Sequence, residues 1–345
     1  MRKRAAVLLV AAVLLSGCAV FAPSCGYGQL KRYETSFLDV FDTVTYVKGY
    51  ALSEEAFRKD ADAVHETLLK YHRLYDIYHT YDGIANLKTV NDRAGTEPVR
   101  VDREILDLLL FARSVSEETG GAVDVTLGAV LSLWHEAREY AAAHPGDAYV
   151  PSEEALREAA RHTGFGLLEI DEEAGTVFLT DPDARLDVGA LAKGFATARA
   201  AEQAPAGMLL SVGGNVAATG PKPDGTPWVV GVVDPDGGEG YTHTLEIGRT
   251  SVVTSGDYQR YFTAGGVRYH HIIDPDTGYP ARRWKAVTVI AGDSGIGDAL
   301  STALFILGRE AGEKLLLLHG AEGMWVGQDG TEYFSDGFPA YIRDQ

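Results

Sequence analysis

Met208-Leu-Leu-Ser-Val-Gly-Gly-Asn215 opens the stretch that decides the fold, and short runs of the same kind follow at 228–233, 241–247, 251–254, 267–273 and 286–291. Each run is rich in β-branched and aromatic residues, and Pro223-Asp224-Gly225, Asp236-Gly237-Gly238 and Asp276-Thr277-Gly278 punctuate them with turn chemistry. This half of the chain reads as strands, followed by one helix at about 297–307. Working back from Met208, 168–170 and 176–180 read as a hairpin around Asp171-Glu-Glu-Ala-Gly175. Upstream of that, helices dominate. Phe57, Ala61, Val64, Leu68, Tyr71 and Tyr75 recur at helical spacing, as do Ile105, Leu108, Leu109, Ala112 and Val115, the latter stopped by Gly120-Gly121. Ser152 can cap a third helix to about Arg161, and 35–50 reads as one strand. Helices gathered early and strands gathered late give an α+β protein, not a regularly alternating one.

The 345 residues carry 46% hydrophobic side chains, enough for a sizeable core, and a net charge of −18. That charge excludes nucleic acid as a partner, because such binders neutralise phosphates with Lys and Arg, and no basic run follows residue 4. Arg2, Lys3 and Arg4 precede the apolar run 5–15, which is too short to span a bilayer and leads into Leu15-Ser16-Gly17-Cys18. This resembles a bacterial lipoprotein signal. Residues 1–17 are therefore expected to be removed, Cys18 to be lipidated, 18–34 to form a tether and 35–345 the working domain. Such a protein is anchored to the cell membrane and faces outside the cytoplasm. A lipid on Cys18 leaves Cys25 as the other cysteine, so no intrachain disulfide can form.

Several motifs could carry chemistry, each with a plainer reading. Asp298 and Thr302 are spaced i, i+4 and can offer two oxygens to one hard cation, although an Asp near a helix start often only caps it. In 186–194 (LDVGALAKG), glycines flank Lys193 at a strand-to-helix junction, where backbone amides and one positive charge can face an anion. A tight junction with a surface Lys would look the same, and the spacing is not that of a Walker loop. His270 and His271 lie at a strand end, where neighbours point to opposite faces, so one of them can face a site as a general base. Asp124 sits in apolar surroundings and must be paired or ligand-bound, or must cap the helix that follows.

Taken together and in order, these segments resemble the ApbE family, the FAD:protein FMN transferases. The carriers are 41–43 (FDT), 78–83 (YHTYDG), 121–126 (GAVDVT), 186–194, 211–215 (SVGGN), 254–258 (TSGDY), 270–278 (HHIIDPDTG) and 297–308. The family frequently has Met-Gly-Thr where this chain has Phe41-Asp42-Thr43, and Phe can still cover an isoalloxazine face. The resemblance implies mixed, largely antiparallel sheets with helices packed on them. It implies Mg²⁺-dependent transfer of the FMN half of FAD to a Thr or Ser hydroxyl of an acceptor protein, with release of AMP. By position, Mg²⁺ would be held by the Ala190 carbonyl, Asp298 and Thr302. FAD would be contacted by Phe41, Tyr81, Ala122, Val123, Asp124, Asp187, Lys193, His271 and Ile272. His271 is the candidate base, with Asp298 as the alternative. The implied acceptor is a membrane redox subunit on the same side of the membrane as Cys18. An FAD pyrophosphatase using water as nucleophile and a flavin-binding lipoprotein are the competing readings.

Overall fold

Residues Trp284–Ala291 form a strand in which nearly every side chain is buried, which happens only when both faces of a sheet are covered. In chain order the computed structural model contains β1 (Lys31–Val40), β2 (Thr43–Ala51), α1 (Glu54–Tyr75), α2 (Leu87–Asp92), β3 (Val99–Arg100), α3 (Arg103–Glu118), α4 (Gly128–Ala143) and α5 (Glu153–Ala159). Next come β4 (Leu168–Asp171), β5 (Thr176–Leu179), α6 (Ala192–Gln203), β6 (Leu209–Val212), β7 (Asn215–Ala218), β8 (Trp228–Val233) and β9 (Tyr241–Ile247). The last part holds β10 (Ser251–Gly256), β11 (Tyr261–Ala264), β12 (Val267–His270), β13 (Ile273–Asp274), β14 (Tyr279–Pro280) and β15 (Trp284–Ala291). It ends with α7 (Ser294–Ile306), α8 (Arg309–His319), β16 (Glu322–Gly327) and β17 (Glu332–Phe334). The structure describes residues 30–238 and 240–343, so the expected leader, Cys18 and most of the expected tether lie outside the described residues.

The main sheet has eight strands in the order β1-β2-β6-β7-β10-β15-β16-β17, each pair antiparallel. Its strands alternate between two cores. Leu210, Val212, Val287, Val289 and Trp325 point into the core shared with α1, α6, α7 and α8, whereas Leu209, Val252, Ile290 and Met324 meet the β8–β9 hairpin. A third cluster packs α4 and α5 against the β11–β12 and β13–β14 hairpins. Trp134 anchors it with an indole N–H donated to the Gly278 carbonyl at 2.8 Å. The α+β expectation, with largely antiparallel sheets under helices, is borne out.

Local differences have physical causes. The run 35–50 is not one strand but two, joined by Phe41-Asp42, with Val40 opposite Thr43. β1 begins at Lys31, inside the segment expected as tether. The strand expected over 267–273 stops at His270, because His271 turns away before β13. The late helix starts at Ser294, with the Asp293 carboxylate accepting the N–H groups of Gly295 and Ile296. Asp298 therefore lies within α7 and does not cap it. The helical stripes of α1 and α3 are buried as read, and Ser53 and Ser152 cap α1 and α5.

One contact sets the spacing of α6 and α7. A Cβ added to Gly194 would lie 2.3 Å from the Asp298 Cβ and 2.4 Å from the Ser294 carbonyl oxygen. Only glycine permits this approach. Gly194→Ala is expected to cost about 1–3 kcal/mol, because neither obstacle is the end of a flexible side chain. Gly292→Ala, where no heavy atom lies within 4 Å of the added Cβ, should stay within about 0.5 kcal/mol of wild type. Denaturant unfolding of the two variants checks the contrast.

Candidate active site

Between the main sheet's helical side and the α4 subregion lies a cleft of about 600 Å³, the size of a small-molecule site. One wall is built by two neighbouring segments. Leu186 is clamped by Asn91, whose side chain donates to the Leu186 carbonyl at 3.0 Å and accepts its N–H at 2.7 Å. Asp187 then donates its N–H to the Val125 carbonyl at 2.8 Å, which holds 186–190 alongside 122–126. As a result Ala122, Val123, Asp124, Asp187, Ala190 and Lys193 all line the cleft. Asp124 is half-buried, and its Oδ1 accepts the Thr126 N–H at 2.7 Å and hydroxyl at 2.6 Å. It thus forms a side-chain-stabilised turn ahead of α4.

Asp298 and Thr302 line the same cleft from one face of α7. The Asp298 carboxylate is buried, 5% exposed, and its Oδ2 accepts the Gly194 N–H at 2.7 Å from the first turn of α6. Burial raises its pKa, opposed by the charge of Lys193, the Gly194 N–H and the neighbouring Asn215 amide. Asn215 Nδ2 is itself buried and has no hydrogen bond of proper geometry. Burial likewise raises Asp187, against the Gly189 N–H and the charges of His135, Arg138 and Arg260. An all-oxygen donor set at a buried carboxylate suits a hard divalent cation, so the residues fit the expected metal.

The two histidines have separate tasks. His270 is buried, its Nε2–H donates to the Ala281 carbonyl at 2.6 Å and its Nδ1 accepts the Ile272 N–H at 3.2 Å. Burial pushes it down to about 4. This lock fixes the bend that places His271 and Ile272 in the cleft. The His271 ring lies 3.3 Å from the Arg260 carbonyl through Nδ1. A carbonyl only accepts, so the proton sits on Nδ1 and Nε2 keeps its lone pair. Burial, with Arg260 and Lys193 nearby, pushes His271 down to about 3, so the ring is neutral.

Phe41 lines the cleft, but Tyr81 does not. Tyr81 stands behind His72, and its hydroxyl donates to Asp76 Oδ2 at 2.8 Å. Burial works against ionisation of Asp76, yet the N–H groups of Tyr78 and His79 and the Tyr81 hydroxyl outweigh it and lower its pKa. Sequence reasoning did not find Arg138, Arg260, His72 or Trp134, which also line the cleft. Single charged or aromatic residues on separate elements give no spacing to read. Away from the cleft, His162, Asp181 and Asp183 bring potential ligand atoms together. There Asp181 is already engaged by the His162 ring and the Asp183 N–H, both at 2.8 Å.

Similarity to known proteins agrees with this site. Residues 41–325 match the ApbE family. A relative from Treponema pallidum named FAD:protein FMN transferase is 36% identical over 281 residues, 74% of this chain and 75% of the relative. The crystal structure of the ApbE protein from Thermotoga maritima superposes with a TM-score of 0.80 at 33% identity, covering 91% of this chain and all of that one. Flavin transferase ApbE from Vibrio cholerae gives 0.74 at 25% identity, over 90% of this chain and 99% of that one. With the family match spanning most of the sequence and the motif residues gathered in one cleft, the chain belongs to the ApbE family.

Proposed function

We propose that the chain transfers the FMN moiety of FAD to a Thr or Ser hydroxyl of an acceptor protein and releases AMP. The observation that carries this is the meeting of Asp298 and Thr302 with the amino-terminal turn of α6 and Lys193 across one cleft. Family membership and the relatives' shared name support it. Mg²⁺ held by Ala190, Asp298 and Thr302 would neutralise charge on the pyrophosphate oxygens. Lys193 adds a positive charge, and the hydroxyl oxygen attacks the FMN phosphorus as the bridging P–O bond breaks and AMP leaves with that oxygen. The hydroxyl proton goes to His271 Nε2, the nitrogen left unprotonated by the bond to Arg260. Phe41, Ala122, Val123, Asp124, Asp187 and Ile272 supply the remaining flavin-nucleotide contacts, and Tyr81 acts from behind His72.

Localisation belongs to the same reading. Cys18 carries a lipid and the domain faces outside the cytoplasm, beside a membrane redox subunit as acceptor. The basic start, the apolar run and Leu15-Ser16-Gly17-Cys18 support this, and among the described residues no helix is long and apolar enough to cross a membrane.

Incubation with FAD, Mg²⁺ and a candidate acceptor, followed by AMP release and in-gel flavin fluorescence, tests the reaction. Free FMN with no labelled acceptor would instead indicate a pyrophosphatase, and neither product a flavin-binding protein. Asp298→Ala should lower transfer by at least about a hundredfold and not be rescued by added Mg²⁺. Transfer at the wild-type rate by that variant would overturn the metal assignment.

The pH profile tests His271. Because its free-protein pKa is about 3, the ring stays neutral as pH falls through the ordinary imidazole range. At saturating Mg²⁺, kcat/KM for FAD should therefore show no acid limb near pH ~6.5, whereas kcat should fall at a higher pH, since the bound pyrophosphate favours imidazolium. An acid limb in kcat that persists unchanged in His271→Gln would contradict the assignment.

A further inference from the structure

We propose that His72 is a positioning residue that holds the Phe41-Asp42 turn, and with it one side of the flavin-binding cleft, in a left-handed conformation. The inference rests on the reading that this cleft takes FAD. Phe41 and Asp42 form a two-residue hairpin connection with φ of 54° and 50°, and among the described residues they are the non-glycine positions with positive φ. Such a turn normally uses Asn-Gly or Asp-Gly, because a Cβ is strained there. A strained turn persists only where its surroundings over-determine it.

The over-determining contact comes from α1. The Phe41 N–H donates to His72 Nδ1 at 3.2 Å, and the two rings meet edge to face with centroids 5.6 Å apart. With Nδ1 accepting, the proton is on Nε2, which faces the Tyr81 hydroxyl oxygen at 3.4 Å. Tyr81 in turn donates to Asp76 Oδ2 at 2.8 Å, and Asp76 Oδ1 accepts the N–H groups of Tyr78 at 2.7 Å and His79 at 3.0 Å. Every donor in this relay points toward Asp76, so the ring of His72 has one orientation and one tautomer. On the far side of the turn, Thr43 packs against Gly213, where an added Cβ would lie 2.7 Å from Thr43 Oγ1. The turn is thus gripped from both sides while Phe41, Asp42 and Thr43 face the cleft. Tyr81 acts on the cleft through His72.

The test is FAD binding to the full protein, followed by flavin fluorescence, together with KM, kcat and thermal unfolding. His72→Leu should weaken FAD binding and raise KM about tenfold, the loss of one partly buried hydrogen bond, and leave kcat at saturating FAD within about twofold. His72→Asn places an amide oxygen where Nδ1 sits and should recover binding to within about threefold of wild type, whereas His72→Gln, which mimics Nε2, should not. Asp42→Gly relieves the backbone, so adding His72→Leu to it should weaken binding by less than about threefold and cost less stability than in the wild-type background. Unchanged binding in His72→Leu, equal behaviour of the Asn and Gln variants, or a stability penalty unaffected by Asp42→Gly would each overturn the proposal. If wild type itself fails to bind FAD, the functional reading falls, and the ligand-free stability cycle still decides the role of His72.

Discussion

A carboxylate buried at a helix crossing governs the arrangement of this protein. Asp298 occupies the space that a side chain at Gly194 would take, and the Gly194 N–H closes onto it at 2.7 Å. Burying a carboxylate is costly unless its oxygens are paired. Here the compensation comes from one helix end: an N–H at the start of α6, the dipole behind it and the ammonium of Lys193. Ala192 and Lys193 of the same helix end line the cleft, so the crossing of α6 and α7 also brings a positive charge to the proposed anion site. The wall made by 122–126 and 186–190 is held from another side, because Asn91 of α2 fixes Leu186 shortly before α6 begins.

The sheet strands and the long helices were legible because their periods are strong. β8 and β9 match the expected runs residue for residue, and every position of the α1 stripe is buried. The hairpin at 41–42 was hidden because Phe-Asp lacks turn chemistry, and its geometry is imposed from α1 and Gly213 instead. The break after His270 was hidden for a related reason: a tertiary bond to Ala281, not a local signal, ends the strand. Among site residues, Asp298 with Thr302 and the 186–194 segment could be found by spacing. Arg138 and Arg260 could not, since each reads as an ordinary surface charge until α4 and the β10–β11 connection bring them to the same cleft.

The histidine pair shows how the fold selects between identical side chains. Both are neutral and buried enough to be pushed down, so titration does not distinguish them. Hydrogen bonding does. His270 spends both ring nitrogens on backbone groups, which makes it a structural brace, whereas His271 spends only Nδ1. A proton acceptor needs a free lone pair before it needs a matched pKa, and only the second ring has one to offer to a reacting hydroxyl.

The overall charge of −18 then acquires a definite meaning. Charges separated by more than about 8 Å of salt solution are largely screened, so the acidic surface does not decide what the cleft binds. Inside the cleft, Lys193, Arg138 and Arg260 act over shorter paths and at lower dielectric, and they already lower the neighbouring carboxyl groups against burial. The Asp298 carboxyl nevertheless keeps a raised pKa with Lys193 beside it. The protein's own positive charges therefore fall short of what that oxygen pair can use, and an anionic phosphate substrate would add to the deficit. A hard cation held at Asp298, as proposed above, would offset the negative charge of that carboxylate and of an anionic phosphate substrate together.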